Sequence, residues 1–371
     1  MSSLSSEHFL QSLGVNKNSI FSHLLEHDFQ LTLVGGAVRE YLISSTLPSD
    51  LDFEIRSVSS ERSEGSAWVE RLAHLPSILR TYSGIKSKVE LLPCNVFRFA
   101  GPGGREFELS SPRIESFPND SSGLGHSDFD LNYSGTISYP DAFRRRDLTV
   151  NALGIAITCE GQSWCAELVD PFDGISDLKN SLLREIDPNF IKDPVRLLRM
   201  IRFELSLGFT LSDTIVKLIP EFNLSHLTSF YFVREGLKAG FFPFIHQLFQ
   251  VVNQHHIALP LFLQQISSTQ DWPKLPGIFN KEEVALILLL AEIDRETLLL
   301  MIEMMQLKKR WRKNLVRIDS WLKGGLKGDP PLELKFFLGC LNNIGDEQIA
   351  KLKYGEALLA SGTISSIEGD Q

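Results

Sequence analysis

Residues 31–56 read LTLVGGAVREYLISSTLPSDLDFEIR, and the reading of this stretch decides the fold. An apolar run from Leu31 to Val34 has strand character, breaks at the Gly35-Gly36 pair and resumes with helical spacing from Ala37 to Ile43. A Ser/Pro turn follows, then a second strand-like run carrying Asp50 and Asp52. Side chains alternate faces along a strand, so carboxylates two apart point the same way. Two carboxylates on one face, beside backbone that a ligand can approach closely, make a seat for magnesium and a triphosphate. A D-x-D alone is better read as a turn with two solvated aspartates, and a Gly-Gly turn alone is as weak a signal. Their separation by no more than one short helix favours the ligand site.

The stretch resembles the head domain of the class II tRNA nucleotidyltransferase and bacterial poly(A) polymerase family. The first motif of that family reads L-V-G-G-x-V-R-D, a short helix, then D-x-D. Gly35, Gly36, Arg39, Asp50 and Asp52 fall on it, with Glu40 in place of the usual aspartate. The resemblance implies that Asp50 and Asp52 hold two Mg2+ ions for two-metal catalysis, while Gly35, Gly36 and Arg39 cradle the triphosphate of CTP or ATP.

Outward from that stretch, composition sets the bounds. At 371 residues, 43% hydrophobic and 22% charged, the chain is an ordinary globular sequence long enough for two or more domains. Cys94, Cys159, Cys165 and Cys340 show no C-x-x-C spacing, which argues against a zinc ribbon or a disulfide framework and fits a reducing cytoplasm. The start, MSSLSSEHFLQSLG, lacks a basic segment followed by an apolar one, so no signal peptide is expected. The longest apolar run, Val284 to Ala291, is far short of the roughly 20 residues of a membrane span. The expectation is a cytoplasmic protein with no membrane contact. A net charge of −9 is awkward for a nucleic-acid binder. Phosphate contacts are local, however, and screened beyond about 8–10 Å, so the placement of the positive charges matters more than their sum.

Residues 5–28 carry the pattern of one amphipathic helix. Strands are expected near 30–34, 51–56, 95–99, 105–110 and 147–158, and from about 185 onward nearly everything reads helical. Strands first and helices after predict an α+β fold, a head with a mixed sheet followed by an all-α remainder. The resemblance implies the same order, with a catalytic head over 1–160, a helical neck over 161–260 and a helical, RNA-binding body and tail over 261–371.

Residues 95–110 read as a β-hairpin whose second strand places Glu106 and Glu108 on one face. The family places an acid on this strand, and Glu108 fits that place best as a third carboxylate beside Asp50 and Asp52. Glutamates on an exposed sheet face are otherwise simply solvated. The segment 111–143 is rich in Ser, Gly, Asp and Pro and reads as a long unstructured connection. Pro112-Arg113, Glu115, Gly123, Gly125 and His126 resemble a family loop that helps the enzyme change its nucleotide choice.

RRRDLTVNALGIAI, residues 144–157, runs three arginines into a strand, with Asp147 and Asn151 four apart on one face. Arginine forks grip phosphate oxygens, and Asp and Asn can hold ribose hydroxyls. The second family motif reads R-R-D-F-T-x-N-A; Arg145, Arg146, Asp147, Thr149, Asn151 and Ala152 match it, with Leu148 for phenylalanine. Asp170-Pro171, Gly174, Asp177-Leu178 and Arg184 match a further family segment, whose residues point to a strand, a turn and a helix start rather than to chemistry.

In FIKDPVRLLRMIRFELSLGF, residues 190–209, Asp193-Pro194 is a helix start, and Arg196, Arg199 and Arg202 recur every three residues along one broad side. Such a side grips nucleotide or RNA phosphates, or is a solvated stripe. The family reads the region as E-D-x-x-R, whose aspartate and arginine hydrogen-bond the Watson–Crick edge of the incoming CTP or ATP. Asp193 and Arg196 carry that spacing, with Lys192 where the glutamate stands. An acceptor beside a donor can read a base edge without a nucleic-acid template.

Residues 307–327 hold eight Lys/Arg against one acid, with Trp311 and Trp321 interleaved. Lys308, Lys309, Arg310, Arg312 and Lys313 make the best surface for an RNA backbone, since clustered positives release counterions and Trp can stack on a base. An amphipathic helix with buried tryptophans has the same pattern. The resemblance therefore implies addition of C and A to the 3′ end of tRNA from CTP and ATP. A poly(A) polymerase typically carries G-R-R-F soon after the D-x-D strand, which GIKSKVELLPCNVFRF lacks. An enzyme adding only CC or only A shares these motifs, and a non-catalytic RNA-binding relative fits the acidic charge but not the intact Asp50 and Asp52.

Overall fold

Strand β1 (Phe29–Val34) in a computed structural model of the chain lies between two antiparallel neighbours, β2 (Asp50–Ser57) and β8 (Gly154–Glu160). The structure describes residues 5–85, 87–116, 130–264, 272–291, 293–324, 346–352 and 354–360. Its contacts divide the chain into two units, Met1–Phe190 with Thr210–Val216, and Ile191–Phe209 with Lys217–Gln371.

In chain order the first unit begins with α1 (Ser6–Leu13) and α2 (Ile20–Leu25). The single helix expected over 5–28 is thus two, because Gly14 takes a left-handed conformation (φ +74°) that ends α1, and the Asn16–Ser19 turn bonds its own side chains to backbone. After β1 come α3 (Gly36–Ser44), β2, α4 (Gly65–Ala73), α5 (Leu75–Thr81), β3 (Glu90–Leu92), β4 (Val96–Ala100), β5 (Glu106–Ser110), β6 (Arg113–Ser116), β7 (Asp130–Tyr133), α6 (Tyr139–Arg144), β8, β9 (Ser163–Val169) and α7 (Gly174–Lys179).

Seven strands form one sheet in the order β3-β4-β5-β2-β1-β8-β9. The β2–β5 pair is parallel, and the connection between those strands accordingly crosses over through α4, α5 and the β3–β4 pair. The sheet's two faces follow from the sequence alternation. Leu51, Phe53 and Ile55 of β2, Phe107 and Leu109 of β5 and Phe97 and Phe99 of β4 are buried on one face. There Phe53 and Phe107 stack with ring centroids 5.1 Å apart, and Phe21 of α2 meets Phe53 edge-on at 5.9 Å. The opposite face carries Asp50, Asp52, Glu54 and Arg56 of β2, Glu106 and Glu108 of β5 and Arg98 of β4. It is covered at one end, where Arg56 lies 3.8 Å over the ring of Tyr139 and Tyr139 hydrogen-bonds Thr32, and exposed at Asp50 and Asp52.

Two further expectations change. The strand expected over 147–158 starts only at Gly154, since Thr149–Asn151 form a single helical turn with Ala152 N–H donating to the Thr149 carbonyl. The connection 111–143 is not structureless throughout: β6 and β7 pair antiparallel at its base and α6 follows, Ser138 capping it with Pro140 in the first turn. Gly123, Gly125 and His126 lie outside the described residues.

The second unit is helical among its described residues: α8 (Val195–Leu207), α10 (Ser229–Ala239), α11 (Phe241–His255), α12 (Leu261–Gln264), α13 (Lys281–Leu290), α14 (Arg295–Met304) and α15 (Lys309–Lys323), with α9 (Asp213–Leu218) at the boundary between units. Asn280 and Glu283 close a capping box on α13, and its residues from Glu283 to Leu290 are all buried, as a helix apolar all round requires. Among the described residues no helix is long and apolar enough to cross a membrane.

Candidate active site

The glycine turn places the first group of side chains. Gly35 has φ +73° and ψ −133°, its N–H donates to the Leu153 carbonyl, and α3 starts at once behind it. A Cβ on Gly35 would sit 2.8 Å from Nη1 of Arg146, so only glycine both takes this conformation and lets that guanidinium lie against the turn. Arg146 Nη1 in turn donates to the Asn151 carbonyl at 3.3 Å. Val38, Tyr41 and Leu42 face α3 into the core, and Arg39, 6% exposed, donates to the Asn151 side-chain oxygen. The Asn151 amide donates to Asp147 Oδ1 at 3.0 Å, and that oxygen also accepts from Leu148 N–H at 2.9 Å.

Arg39, Arg146, Asp147 and Asn151 are thus brought together, as the two motifs anticipate, but by a turn rather than a strand. Asp147 and Asn151, expected to hold ribose hydroxyls, are 5% and 4% exposed and spend polar atoms on each other and on Arg39. The turn itself is clamped from α7. Thr149 Oγ1 donates to Asp177, Arg184 donates to the same carboxylate at 2.9 Å, and the Arg184 carbonyl accepts from Thr149 N–H. Gly174 packs so closely that a Cβ would meet the Thr149 carbonyl oxygen at 2.3 Å. The sequence carried this clamp as turn and helix residues, and their support of the Asp147–Asn151 turn is visible only in three dimensions.

Replacing Gly35 by alanine forces an L side chain into this backbone and displaces Arg146. The expected cost is about 1–3 kcal/mol of stability, read by urea unfolding; an unchanged stability would show that the close approach is not needed.

Of the three consecutive arginines, only Arg146 meets the glycine turn. Arg144 pairs with Asp187 at 3.9 Å. Arg145 is half-buried, 3.9 Å from Glu54 and 4.0 Å from Glu115, while Arg56 holds Glu54 and Arg113 holds Glu115. Burial, with Arg113 and Arg146 close by, lowers the Arg145 guanidinium to about 10 against the pull of the two glutamates. It remains charged at neutral pH and ties the base of the β6–β7 pair to β2.

Asp50 and Asp52 are exposed on the polar face of β2, on either side of buried Leu51. In the parallel β2–β5 register Asp50 stands opposite Glu106 and Asp52 opposite Glu108. The Glu108 carboxylate accepts from Arg98 Nε at 2.7 Å, a partner the sequence reading did not single out. Among the described residues no set of three or more His, Cys, Asp or Glu side chains converges as a metal cage. Two exposed carboxylates are nonetheless a donor set that suits Mg2+, which takes hard oxygen ligands and completes its shell with water and substrate phosphate.

In the second unit, Asp193 does two things at once. Oδ1 accepts from Val195 N–H at 3.0 Å just ahead of α8, whose N-cap is Pro194, and Oδ2 lies 3.9 Å from Nε of Arg196. Arg196 is 6% exposed. Arg202 is engaged elsewhere: its Nε donates to Glu235 of α10 at 2.6 Å, and its guanidinium lies 3.8 Å over Phe203, with Arg199 5.6 Å from the same ring. On α15, Lys308, Lys309, Arg310, Arg312 and Lys313 are exposed. Trp311, at 7% exposure, belongs to the apolar side of that helix with Leu315, Ile318 and Leu322, so it offers no face for a base.

Comparison with known proteins agrees with this geometry. A family model described as the poly(A) polymerase head domain matches residues 31–184. The multifunctional CCA protein of Haemophilus ducreyi is 28% identical over 240 residues, covering 63% of this chain and 50% of that protein. Among solved structures, the Bacillus stearothermophilus CCA-adding enzyme in complex with CTP superposes with a TM-score of 0.54 at 18% identity, covering 96% of this chain and 79% of that one. The Thermotoga maritima CCA-adding enzyme complexed with tRNA gives 0.52 at 18% identity, covering 95% and 82%. The fold is therefore that of the CCA-adding enzymes, a mixed-sheet head followed by helices. The chain is thus similar to the poly(A) polymerase head domain over residues 31–184 and to CCA-adding enzymes over a longer stretch. It spans about half the length of the curated relatives it matches.

Proposed function

We propose that the chain is an RNA nucleotidyltransferase that adds C and A to the 3′ end of tRNA from CTP and ATP in the cytoplasm. The observation that carries this reading is the exposed Asp50–Asp52 pair on β2, one short helix beyond a glycine turn that holds Arg146 against its backbone. Asp50 and Asp52 hold Mg2+, which when bound supplies the positive charge that activates the RNA 3′ hydroxyl and steadies the leaving pyrophosphate. Gly35 and Gly36 let the triphosphate approach the backbone. Arg146 and Arg39 take its oxygens, and Asp147 and Asn151 fix Arg39 in place from behind. Asp193 and Arg196 read the base edge: the bond from Val195 N–H fixes the carboxylate that faces the guanidinium. The exposed lysines and arginines at the start of α15 take the RNA backbone. The names of the relatives, a multifunctional CCA protein and CCA-adding enzymes seen with CTP and with tRNA, support the substrate assignment.

The test incubates the protein with Mg2+, labelled CTP or ATP, and tRNA ending at the discriminator base, at -C or at -CC. Completion of CCA on all three acceptors is expected. Long A-tails on unrelated RNA would instead mark a poly(A) polymerase, extension of only some acceptors a partial enzyme, and no incorporation a binding module. Arg196→Ala is expected to blur nucleotide choice rather than stop the reaction. A bidentate side-chain-to-base pair is worth about 1–3 kcal/mol of discrimination, so selection of CTP and ATP over UTP and GTP should fall roughly 10- to 100-fold. Unchanged selection in single-nucleotide competition would remove the base-reading role.

A further inference from the structure

Four strands carry one line of charge across the polar face of the sheet. Glu90 of β3 stands opposite Arg98 of β4, Arg98 opposite Glu108 of β5, and Glu108 opposite Asp52 of β2. Neighbouring strands are about 4.8 Å apart, so these groups are consecutive neighbours. Beside that line Asp50 stands opposite Glu106, which puts four carboxylates on two adjacent parallel strands. Like charges directly opposite repel, and Arg98 answers the two on β5: its Nε lies 2.7 Å from Glu108 Oε1 and 3.5 Å from Glu106 Oε1. Arg98 is partly exposed, as is Glu108, so the pair does little for stability, which leaves its placement to be accounted for.

Resting on the metal-site reading above, we propose that Arg98 is a positioning residue for that site. It holds the Glu108 carboxylate off the divalent ion in the nucleotide-free protein, so that Asp50 and Asp52 alone are offered and the ion settles firmly only together with a triphosphate. Carboxylates from both strands turned onto one ion would collect free divalent ions from solution, whereas two carboxylates with a neighbouring guanidinium bind a lone ion weakly. Nucleotide phosphates then supply the missing negative oxygens. Arg98 thus links occupancy of the metal site to arrival of CTP or ATP.

The probe is Mn2+ binding to the full chain without nucleotide, read from the free-ion resonance signal. Arg98→Ala is expected to bind Mn2+ roughly 10-fold more tightly than the unchanged protein, because a positive charge leaves and a carboxylate becomes available. Arg98→Gln should behave alike, and adding Glu108→Gln to Arg98→Ala should undo the gain. Equal or weaker binding by both Arg98 variants would overturn the proposal, as would a gain that survives the Glu108 change. Asp52→Asn separates this from the underlying reading. If it weakens Mn2+ binding while the Arg98 variants do nothing, only the role of Arg98 falls; if it leaves binding untouched, the metal-site reading falls and the proposal with it.

Discussion

Asp52→Ala should lose CTP and ATP incorporation into tRNA by at least about 10³-fold while the protein stays folded, since a lost metal ligand removes several kcal/mol of charge stabilisation from the transition state. Asp52 is exposed at the surface end of a strand whose core contacts are made by Leu51 and Phe53. Truncating it leaves those core contacts in place, so the unfolding free energy should fall by no more than about 1 kcal/mol. Binding of tRNA, which the proposed function assigns to basic side chains on other elements, should persist in a filter assay. Retained incorporation would move the chemistry away from β2. Loss of folding together with activity would make Asp52 structural.

The second large effect is structural and lies in the other unit. Glu235 is fully buried on α10, with Arg202 at 2.6 Å and Arg234 at 3.0 Å. Burial alone would raise its carboxyl, but the guanidiniums of Arg202, Arg199 and Arg234 outweigh this and hold it below the usual value of 4.5. Glu235→Ala leaves Arg202 without this carboxylate in a largely closed site and should cost about 3–5 kcal/mol, because breaking one side of a buried pair strands the other charge. The pH dependence has a definite sign. A carboxylate whose folded value is depressed contributes stability that is present above 4.5 and is lost as the pH falls through its folded value. The gap in urea midpoint between Glu235→Ala and the unchanged protein should therefore be full near neutrality and narrow progressively in acid. A gap independent of pH would assign the loss to packing alone. This pair also explains Arg202: on a helix whose arginines recur every three residues, spacing cannot tell a phosphate contact from a bond to the next helix.

Much of the head was legible because its signals are local. The break from apolar run to Gly35-Gly36 marks β1 and α3, and the alternation in DLDFEI puts Asp50 and Asp52 on the face opposite Leu51 and Phe53. Where the sequence misled, a local pattern had two solutions. DLTVNALGIAI alternates well enough for a strand, yet Gly174 and Arg184, more than twenty residues on, bend its first half into the turn that joins Asp147 to Asn151. Arg98 was invisible for a related reason. Nothing near it in the chain shows that β5 runs parallel beside β2, and only that register sets Glu108 between Arg98 and Asp52. On α15 the pattern showed five exposed positive side chains and a tryptophan, but whether the ring faced water or core depended on the partners of Leu315 and Ile318. The contacts of Asp193 with Val195 and Arg196 lie within three residues of it, so the local spacing was enough to anticipate them.

The central claim is that a divalent ion sits between the two aspartates of β2. It is tested most directly by diffraction from crystals grown with Mn2+ and CTP, using the anomalous signal of manganese. The account predicts a peak at about 2.0–2.3 Å from carboxylate oxygens of both Asp50 and Asp52, bridged to the nucleotide phosphates. Ordered CTP with its manganese held by other residues, and nothing at Asp50 and Asp52, would contradict it.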